Sequence, residues 1–523
     1  MKKCISIVLA MLMIITASIS TATVAFAAAD VWDGSTVAKA FEGGTGTESD
    51  PYLIATAAQL VFLRNLVNIG DTSYNQSYKD TYGESLPGAI VYDNVTSQTH
   101  KRLSGKYFKL TNDIDMGNNN IDRGIGYSND KDYTFTFAGN FDGDGHIIKN
   151  LVVAPANSTY AIALFGLTED ATIKNVGIEN AVITVNHNGV YFGHGVLIGK
   201  AYGTLNLDNC FVKNSKVENK VGTITENVGL GILTGMIGTD SIVNATNDAR
   251  YKINNCYAVN NEIAYTGTAT GDQKLKKTSA FGNTKGYGID INNCYAVNAE
   301  SKNGLKITNI QNIKDSSRTN YIFSCLADGT DAGNYTSKGS NCFVMGTTQP
   351  YGDVYYLKNK SAFNIATSDE LKALPAALNS QNAYETKYAD ALNNGYPILK
   401  WEYERVCNPY KADNLKYTLN ESEVNAIQAG AVLTTADITK TTSIATGDKK
   451  GIFTYFDASG NLVTCALVDI TDSSFDSAET VNFSVNMQLP AEDKFTGGSL
   501  RIFFWDNVNG SLKPANRDVI IPQ

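Results

Sequence analysis

The heptapeptide NNCYAVN occurs twice in this chain of 523 residues, at Asn254–Asn260 and again at Asn292–Asn298. Its surroundings extend the repeat to an apolar residue, a polar residue, an Asn, and then a Cys or small apolar residue. The third-position asparagines of successive copies are 25, 34, 46 and 38 residues apart. A pattern with this period is typical of a solenoid with one copy per coil. The five copies are Ile148–Leu151, Ile173–Val176, Leu207–Cys210, Ile253–Cys256 and Ile291–Cys294.

Each copy alternates apolar and polar residues, many of them β-branched, which indicates a short strand rather than a helix turn. One such strand cannot bury its apolar face alone, so it must stack on the strands of neighbouring coils. The pattern therefore predicts an all-β fold, a parallel β-helix whose coils pair at about 4.8 Å. Loops of unequal length between the strands explain the uneven spacing, and Ala264–Lys277 has the polar composition of such a loop.

The repeated Asn and Cys have a structural interpretation in this fold. An Asn at a coil corner tolerates left-handed backbone angles, and its amide can hydrogen-bond to the same Asn one coil away. We expect Cys256 to point inward as a small apolar residue, with Val259 also inside. Leu151 and Val176 occupy the same position and cannot bind a metal. The absence of any CxxC motif also argues against a zinc site.

The termini of the solenoid carry helix signals. Thr56 with Gln59 forms a capping-box pattern, and Leu60, Leu63, Leu66 and Val67 share one helical face, which predicts a capping helix within Pro51–Asn68. A second capped helix, with Glu370 in its capping box, is predicted at Thr367–Leu378 at the far end of the coils. We therefore assign residues 28–106 to an N-terminal capping region and residues 107–405 to the parallel β-helix.

The C-terminal part of the chain has a different pattern. Gly451–Asp469 reads as two alternating strands around an Asp-Ala-Ser-Gly-Asn turn, which predicts a β-hairpin. Further short strands follow, so residues 406–523 are predicted to form a separate β-sandwich. Seven cysteines remain after Cys4. This odd number implies at least one free thiol or an intermolecular pair, and Cys407 and Cys465 could bridge the sandwich to its linker.

The N-terminal residues and the net charge indicate where the protein is located and which partners are excluded. Lys2 and Lys3, an apolar run and a small-residue site at Ala25–Ala27 predict that residues 1–27 are a signal peptide, so the mature protein is expected to be secreted. No later run is long enough to span a membrane. A net charge of −9 and a pI near 5.1 argue against nucleic-acid binding.

Several stretches resemble bacterial surface proteins with GLUG-type repeats on a right-handed β-helix. The segment Leu500–Pro514 resembles the Ig-like module at the C-terminus of many secreted proteins of Gram-positive anaerobes. This resemblance implies an extracellular or cell-surface protein, without assigned catalysis, that takes part in adhesion or contacts glycans. The stretches are Trp32–Asn68, Tyr107–Leu151 and Asn393–Trp401, and Gly195–Gly203 and Gly231–Gly238 are the nearest matches to the repeat itself.

Three groups of residues could carry chemistry. FDGDGH at Phe141–His146 could supply calcium ligands or an acid–base pair, or it could be an Asp-Gly turn. The oxygen-rich stretch Asn112–Asp122 could hold Ca²⁺ but does not match the EF-hand loop. His187 and His194 could meet in space, although we expect both to be solvent-exposed loop residues. We assign no catalytic residue, no cofactor and no metal ligand.

Two functions remain open. The first is a non-catalytic secreted or cell-surface protein for binding, adhesion or structure, with extracellular glycans or host and cell-surface proteins as partners. The second is a polysaccharide lyase or glycoside hydrolase built on the same coils. Lys213, Arg250 and Arg318 have no spacing that marks a catalytic cleft. A lateral face of Tyr, Asn and Thr would favour binding, whereas a cleft with converging carboxylates, or carboxylates beside Lys or Arg, would favour the enzyme.

Overall fold

The computed structural model describes most of the chain from residue 31 onward. The described residues are 31–68, 79–80, 94–96, 99–128, 134–156, 159, 161–186, 193–221, 229–237, 251–267, 278–283, 289–298, 305–308, 326–327, 338–345, 363–407, 410–424, 426–440, 448–475, 480–506 and 519–521. The predicted signal peptide, His187, Arg250, Arg318, Cys325 and most of the loop Ala264–Lys277 lie outside them. The chain divides into two compact units, one within residues 30–401 and the other within residues 402–523.

The first unit is a parallel β-solenoid, as the repeat predicts. Its largest sheet has 19 strands, most of which pair in parallel with the equivalent strand of the next coil. The strands are Tyr52–Ile54, Asn94–Thr96, Thr99–Arg102, Tyr107–Leu110, Ile114–Asp115, Tyr127–Ser128, Thr134–Phe137, Asn140–Lys149, Phe165–Glu179, Ile198–Asp208, Phe211–Lys213, Thr234–Ile237, Tyr251–Asn254, Tyr257–Val259, Ile289–Asn292, Tyr295–Val297, Lys338–Ser340, Cys342–Met345 and Phe363–Ala366.

Two smaller parallel sheets complete the circumference of the coil. Each complete coil contributes one strand to the four-stranded sheet, so about four full turns are described. A separate parallel pair is formed by the strands Gly282–Asn283 and Leu326–Ala327. The five-stranded sheet contains Val152–Val153, Val182–Val185, Lys216–Asn219, Glu262–Tyr265 and Lys306–Thr308, and the four-stranded sheet contains Ala161–Ile162, Gly193–His194, Gly229–Gly231 and Thr278–Ser279.

The coil corners explain the repeated Asn. Asn175, Asn209, Asn255, Asn293 and Asn341 all have φ between 51° and 59°, the left-handed region that Asn tolerates at the lowest cost after Gly. The amide of Asn209 donates to Asn175 at 2.8 Å, and that of Asn341 donates to Asn293 at 3.1 Å. The expected ladder is interrupted once, because Asn255 donates to Asp208 rather than to Asn209.

One member of the predicted repeat belongs to a different corner. Lys149 pairs with Glu179, so Asn150 aligns with Asn180 and not with Asn175. Asn180, Asn214 and Asn260 continue this second column, again with positive φ. The spacing of 25 residues is therefore not the length of a coil, because it joins Asn150 and Asn175, which lie at different corners. Both corners need left-handed backbone angles, and both use Asn. The spacings of 34, 46 and 38 residues are confirmed by the strand register.

The residues between the two corners alternate strictly. Cys256 and Ala258 lie in the solenoid core, as does Cys210 one coil below, so the inward position of the cysteines is confirmed. Tyr257 and Val259 belong to a second apolar cluster outside the coil. The expectation that Val259 points inward is wrong, because side chains of a strand alternate with a period of two and Ala258 already occupies the inward position.

A helix covers the first coils, at the predicted place. It runs Ala57–Val67, and Thr56 and Gln59 form both hydrogen bonds of the capping box. The predicted apolar face is buried, with Leu60, Leu63, Leu66 and Val67 at most 2% exposed. This helix packs into the same apolar core as the strands above it, so it shields their apolar cross-section from water.

The last part of the first unit, residues 363–401, runs along the side of the solenoid, and we call it the strap. Its first helix, Ser368–Lys372, has the predicted capping box with Glu370. This helix is shorter than predicted because Leu374 has φ 54° and Pro375 cannot continue a helix. A further helix, Ala389–Asn393, and the antiparallel strands Tyr384–Glu385 and Ile398–Leu399 follow, and the helix Lys400–Cys407 leads out of the strap.

The strap begins at the end of the coils, where Phe363–Ala366 pairs with Cys342–Met345, and it then covers the outward residues between the two Asn columns. Phe211, Tyr257 and Tyr295 stack in line with ring centroids 5.0 and 5.1 Å apart, and Trp401 of the strap stacks on Phe211 at 5.4 Å. Tyr384 donates its hydroxyl to the Asn293 carbonyl at 2.7 Å. We call this surface the covered face.

The second unit consists of two four-stranded antiparallel sheets with a common apolar core. The predicted hairpin is confirmed, since Thr454 pairs with Cys465 across the turn. Cys465 is a free cysteine, so the bridge to Cys407 is not formed. The strands are Ser422–Val424, Tyr410–Leu419, Val432–Lys440 and Thr480–Gln488 in one sheet, and Leu462–Ile470, Lys449–Phe456, Ser499–Asp506 and Val519–Ile521 in the other, with short helices Asp472–Phe475 and Glu492–Phe495.

Candidate functional site

One lateral face of the solenoid lies on the other side of the first Asn column from the covered face, and we call it the open face. It is formed by the strand segments that precede the first Asn column. Phe108, Phe141 and Ile173 stack in register along these segments and point into the core. Their neighbours must therefore point outward. The outward residues of the first coils line a groove of about 450 Å³ together with Glu48, Ser49 and Pro51, and they are Tyr107, Lys109, Asn140, Asp142, Thr172 and Lys174.

The loop that bounds the groove is held tightly. Leu53 donates its backbone N–H to Gly43 at 3.0 Å, and Thr45 donates to Asp50 at 3.0 Å. Gly44 has φ 84°, and a Cβ there would come within 1.8 Å of the Pro51 carbonyl oxygen, so no other residue fits without moving the loop. The loop is also bonded to the strand beside the groove, because Tyr107 donates its N–H to the Gly46 carbonyl at 3.1 Å.

Both lysines of the groove are ion-paired. Lys174 Nζ lies 3.1 Å from Asp142 Oδ2, and Lys109 Nζ lies 2.8 Å from Asp144 Oδ2. The second oxygen of Asp142 accepts from the amide of Asn175 at 2.9 Å, so Asp142 begins the first Asn column. Both oxygens of Asp142 therefore already have partners, and the groove presents amide, hydroxyl and ion-paired groups beside one aromatic ring.

The FDGDGH motif does not form one cluster. Asp144 has φ 48° and Gly145 φ 82°, and the Asp144 N–H donates to Asp142 Oδ1 at 2.9 Å, which is the geometry of an Asp-Gly turn. His146 lies on the far side of this corner, with Nδ1 3.4 Å from Asp113 Oδ1. The motif therefore bends the chain at the coil corner, and of its Asp and His residues only Asp142 lines the groove.

The oxygen-rich stretch Asn112–Asp122 uses its carboxylates in the same way. Asp113 Oδ1 accepts from the Ile147 N–H at 3.0 Å, and Asp113 Oδ2 lies 3.1 Å from Lys149 Nζ. Asp115 accepts from the amide of Asn150 at 2.9 Å. Within the described part of the chain, no three His, Cys, Asp or Glu residues are placed to hold a metal ion.

His194 is not a surface residue, which corrects the expectation of an exposed loop histidine. It lies in the strand Gly193–His194 and is fully buried. Burial lowers the pKa of His194 to about 3, so the ring is neutral at physiological pH. The sequence around it, a Gly-rich stretch, resembles a loop, but the glycines serve close coil stacking: a Cβ on Gly193 would lie 2.4 Å from the Gly199 carbonyl oxygen.

Lys213 belongs to the covered face. Its side chain is buried, lies 2.9 Å from Glu179 and donates to the Leu392 carbonyl of the strap at 3.2 Å. A long side chain of this kind can bury its methylene groups while its ammonium keeps polar partners. Lys213 therefore holds the strap to the solenoid and is not part of the groove.

Beyond the groove, the open face continues as a polar surface. The amide of Asn292 donates to Asn254 Oδ1 at 3.0 Å, and the Ser340 hydroxyl donates to Asn292 at 2.6 Å. Asp208 lies one coil beyond Lys174 and in register with it, and burial raises the pKa of the Asp208 carboxyl. Lys252 is exposed one coil further. This part of the open face therefore presents Asn, Ser and single charges.

Sequence reasoning missed the groove as a unit, although a signal was present. The residue before the corner changes charge over three successive coils, from Asp142 to Lys174 to Asp208, and is uncharged in the coils that follow. Aligning the coils by their corners would have placed these residues in one column. The loop that closes the groove could not be found this way, because it comes from residues 43–51, far outside the repeat.

Comparison with known proteins gives only partial matches. A protein of Evansella cellulosilytica named "Putative Gly-rich membrane protein" is 29% identical over 174 residues, which is 33% of this chain and 16% of that protein. Halomucin of Haloquadratum walsbyi is 26% identical over 212 residues, which is 40% of this chain and 2% of halomucin. The chain thus spans less than a fifth of the length of either relative.

A solved structure from Bacteroides ovatus, described as a "putative immunoglobulin A1 protease", is similar at a TM-score of 0.40 and 20% sequence identity, covering 69% of this chain and 95% of that one. No family model matches the sequence. Among the helices in the described part of the chain, none has the length and apolarity needed to cross a membrane.

Proposed function

We propose that this chain is a non-catalytic extracellular or cell-surface protein that binds glycans through the groove of the open face. The observation that carries the proposal is the composition of the groove. It combines the ring of Tyr107, the polar side chains of Asn140 and Thr172, and charges that are already paired within the protein. Aromatic rings beside amide and hydroxyl groups are suited to the apolar faces and hydroxyl groups of sugars.

The domain organisation belongs to the same proposal. Residues 1–27 act as a signal peptide, residues 28–106 cap the coils, residues 107–405 wind as a right-handed β-helix, and residues 406–523 form an Ig-like module. Two four-stranded antiparallel sheets with a common core support the last assignment. The name of the relative from Evansella cellulosilytica supports a location at the cell surface.

A carbohydrate-active enzyme is the second candidate, because Asp142 lies beside Lys174 in the groove. Carboxylates beside a lysine are the arrangement that a lyase would need. Against this role, Asp142 Oδ1 accepts from the Asp144 N–H and the Asn175 amide at the coil corner, and Oδ2 is ion-paired with Lys174. A catalytic base needs at least one position open to the substrate proton.

The experiment is a glycan array with the mature chain, followed by titration calorimetry of the glycans that bind. We expect Tyr107→Ala to weaken binding at least about tenfold. This factor corresponds to roughly 1.4 kcal/mol for the loss of one ring stacked on a sugar. Lys252→Ala is the matched control, since it lies on the same face outside the groove, and it should bind as the wild type does. An array without any glycan signal would contradict the proposal.

The same preparation separates the two candidates. Reducing-end and unsaturated-uronate assays on every glycan that binds should give no product. A product that disappears in Asp142→Asn would establish the enzyme instead. Because Asn retains an oxygen that can accept from Asn175, the variant should keep the corner geometry.

A further inference from the structure

The charged residues that line the groove balance each other. They are Glu48 and Asp142 on the negative side and Lys109 and Lys174 on the positive side. Lys174 is bonded to Asp142, and Lys109 is bonded to Asp144 just outside the lining. An anionic ligand would meet two lysines that are already ion-paired, with the carboxylates of Asp142 and Glu48 next to them, so a polyanion gains nothing from entering.

Neutral hydroxyl groups of a ligand are not repelled by these charges. Asn140 and Thr172 occupy the row of the open face that begins with Tyr107, as the strand register shows. Amide and hydroxyl side chains both donate and accept hydrogen bonds, as sugar hydroxyls do. A neutral sugar can therefore bond to this row and contact the Tyr107 ring while the ion pairs stay intact.

The length of the groove limits the ligand. Its lining comes from three successive coils, around Lys109, Asp142 and Lys174, and from the loop that includes Glu48. Three stacked strands span two steps of about 4.8 Å, or roughly 10 Å along the solenoid. The groove therefore accommodates a short stretch of a chain, and affinity should stop rising once an oligosaccharide fills it.

We infer that the groove selects an uncharged polysaccharide and takes a short segment of it, in preference to a uronate-type polyanion. This inference rests on the proposed glycan binding and specifies its ligand. It also predicts a binding mode that salt barely affects, because no net charge is neutralised when the ligand enters.

The test is titration calorimetry of the mature chain with neutral cello-, xylo- and manno-oligosaccharides, with oligogalacturonates and with chitosan oligomers. Each is measured at low and at high salt. We expect a neutral series to bind most tightly, with a Kd that changes less than about twofold between the two salt concentrations. Its affinity should reach a plateau at short oligomers.

Two outcomes would overturn the inference, and they differ in what they imply for glycan binding. Preferred binding of oligogalacturonate or chitosan, weakened about tenfold or more by salt, would refute neutrality and leave glycan binding intact. No binding of any oligosaccharide, at either salt concentration, would refute both.

A single variant tests the charge balance directly. Asp142→Asn keeps an acceptor for Asn175 but leaves Lys174 without its carboxylate. We expect it to bind oligogalacturonate at least about tenfold more tightly than the wild type at low salt, and to lose this gain at high salt. Unchanged oligogalacturonate binding, in a variant whose circular dichroism matches the wild type, would show that paired charges do not set the selectivity.

Discussion

The covered face and the open face of the solenoid are built from the same repeat, but their outward residues differ. Those of the first are mainly apolar and buried, whereas those of the second are mainly polar and accessible to water. Outward positions of the covered face hold Phe211, Tyr257 and Tyr295, which are buried beneath the strap. Outward positions of the open face hold Lys174 and its neighbours in register, which remain in contact with water. A coil repeats its corners and its core, while the outward residues differ from face to face and decide what each face contacts.

The strongest test of the comparison is removal of one ring beneath the strap. Tyr295→Ala should lower the free energy of unfolding by about 3–5 kcal/mol, because it removes a fully buried aromatic side chain. The variant also loses the hydroxyl that Asn393 bonds to at 2.8 Å. Chemical denaturation followed by fluorescence measures the change.

The matched control lies on the open face. Lys252→Ala removes an exposed side chain and should change the free energy of unfolding by less than about 0.5 kcal/mol. Equal effects of the two substitutions would mean that the strap does not bury the covered face in solution.

The corners give the next largest effect. Asn255→Ala should cost about 1–3 kcal/mol, because it removes the amide that donates to Asp208 and accepts from Asn293, and because Ala tolerates a φ of 51° less well than Asn does. Asn255→Gly removes the amide but suits the left-handed angle, so it should cost less than Asn255→Ala. The same stability for the Ala variant and the wild type would show that the corner does not depend on Asn.

The core of the coil gives a pH-dependent effect. His194 has a folded pKa of about 3, below the usual 6.5 of an unfolded histidine, so between these values the unfolded chain binds one more proton. Its contribution to stability is complete above about pH 6.5 and is lost as the pH falls towards 3, with a slope of up to about 1.4 kcal/mol per pH unit. In His194→Leu this slope should decrease by that amount, and an unchanged slope between pH 4 and 6 would contradict the burial.

The smallest effect is expected at the inward cysteines. Cys256→Val replaces one buried apolar residue with another of similar size and should cost about 1 kcal/mol or less. Burial raises the pKa of the Cys256 thiol well above its usual value, so a thiol reagent should label it only after unfolding. Rapid labelling of Cys256 in the native protein, mapped by mass spectrometry, would show that the core is open.

The parts of this structure that the sequence predicted are those with a local cause. NNCYAVN predicted the coil, the left-handed corner and the inward Cys256, because backbone angle and strand periodicity depend on a few adjacent residues. Both capping boxes were predicted for the same reason. The register of Asn150 could not be predicted, because two corners need the same residue and only strand pairing distinguishes them.

The remaining differences depend on contacts between distant residues. The outward position of Val259 is stable only because the strap, more than one hundred residues later, covers it. The burial of His194 follows from the coils stacked around it, and its own neighbours do not indicate it. The groove joins three coils with a loop at residues 43–51, so no single stretch of sequence contains it.

The central claim is that the open face binds the ligand and the covered face only holds the strap. Hydrogen exchange of the mature chain, with and without a saturating neutral oligosaccharide chosen by the array, tests it most directly. We expect slower exchange in the segments around Lys109, Asp142 and Lys174 and no change in residues 363–401. Slower exchange in the strap, with the open face unchanged, would contradict the claim.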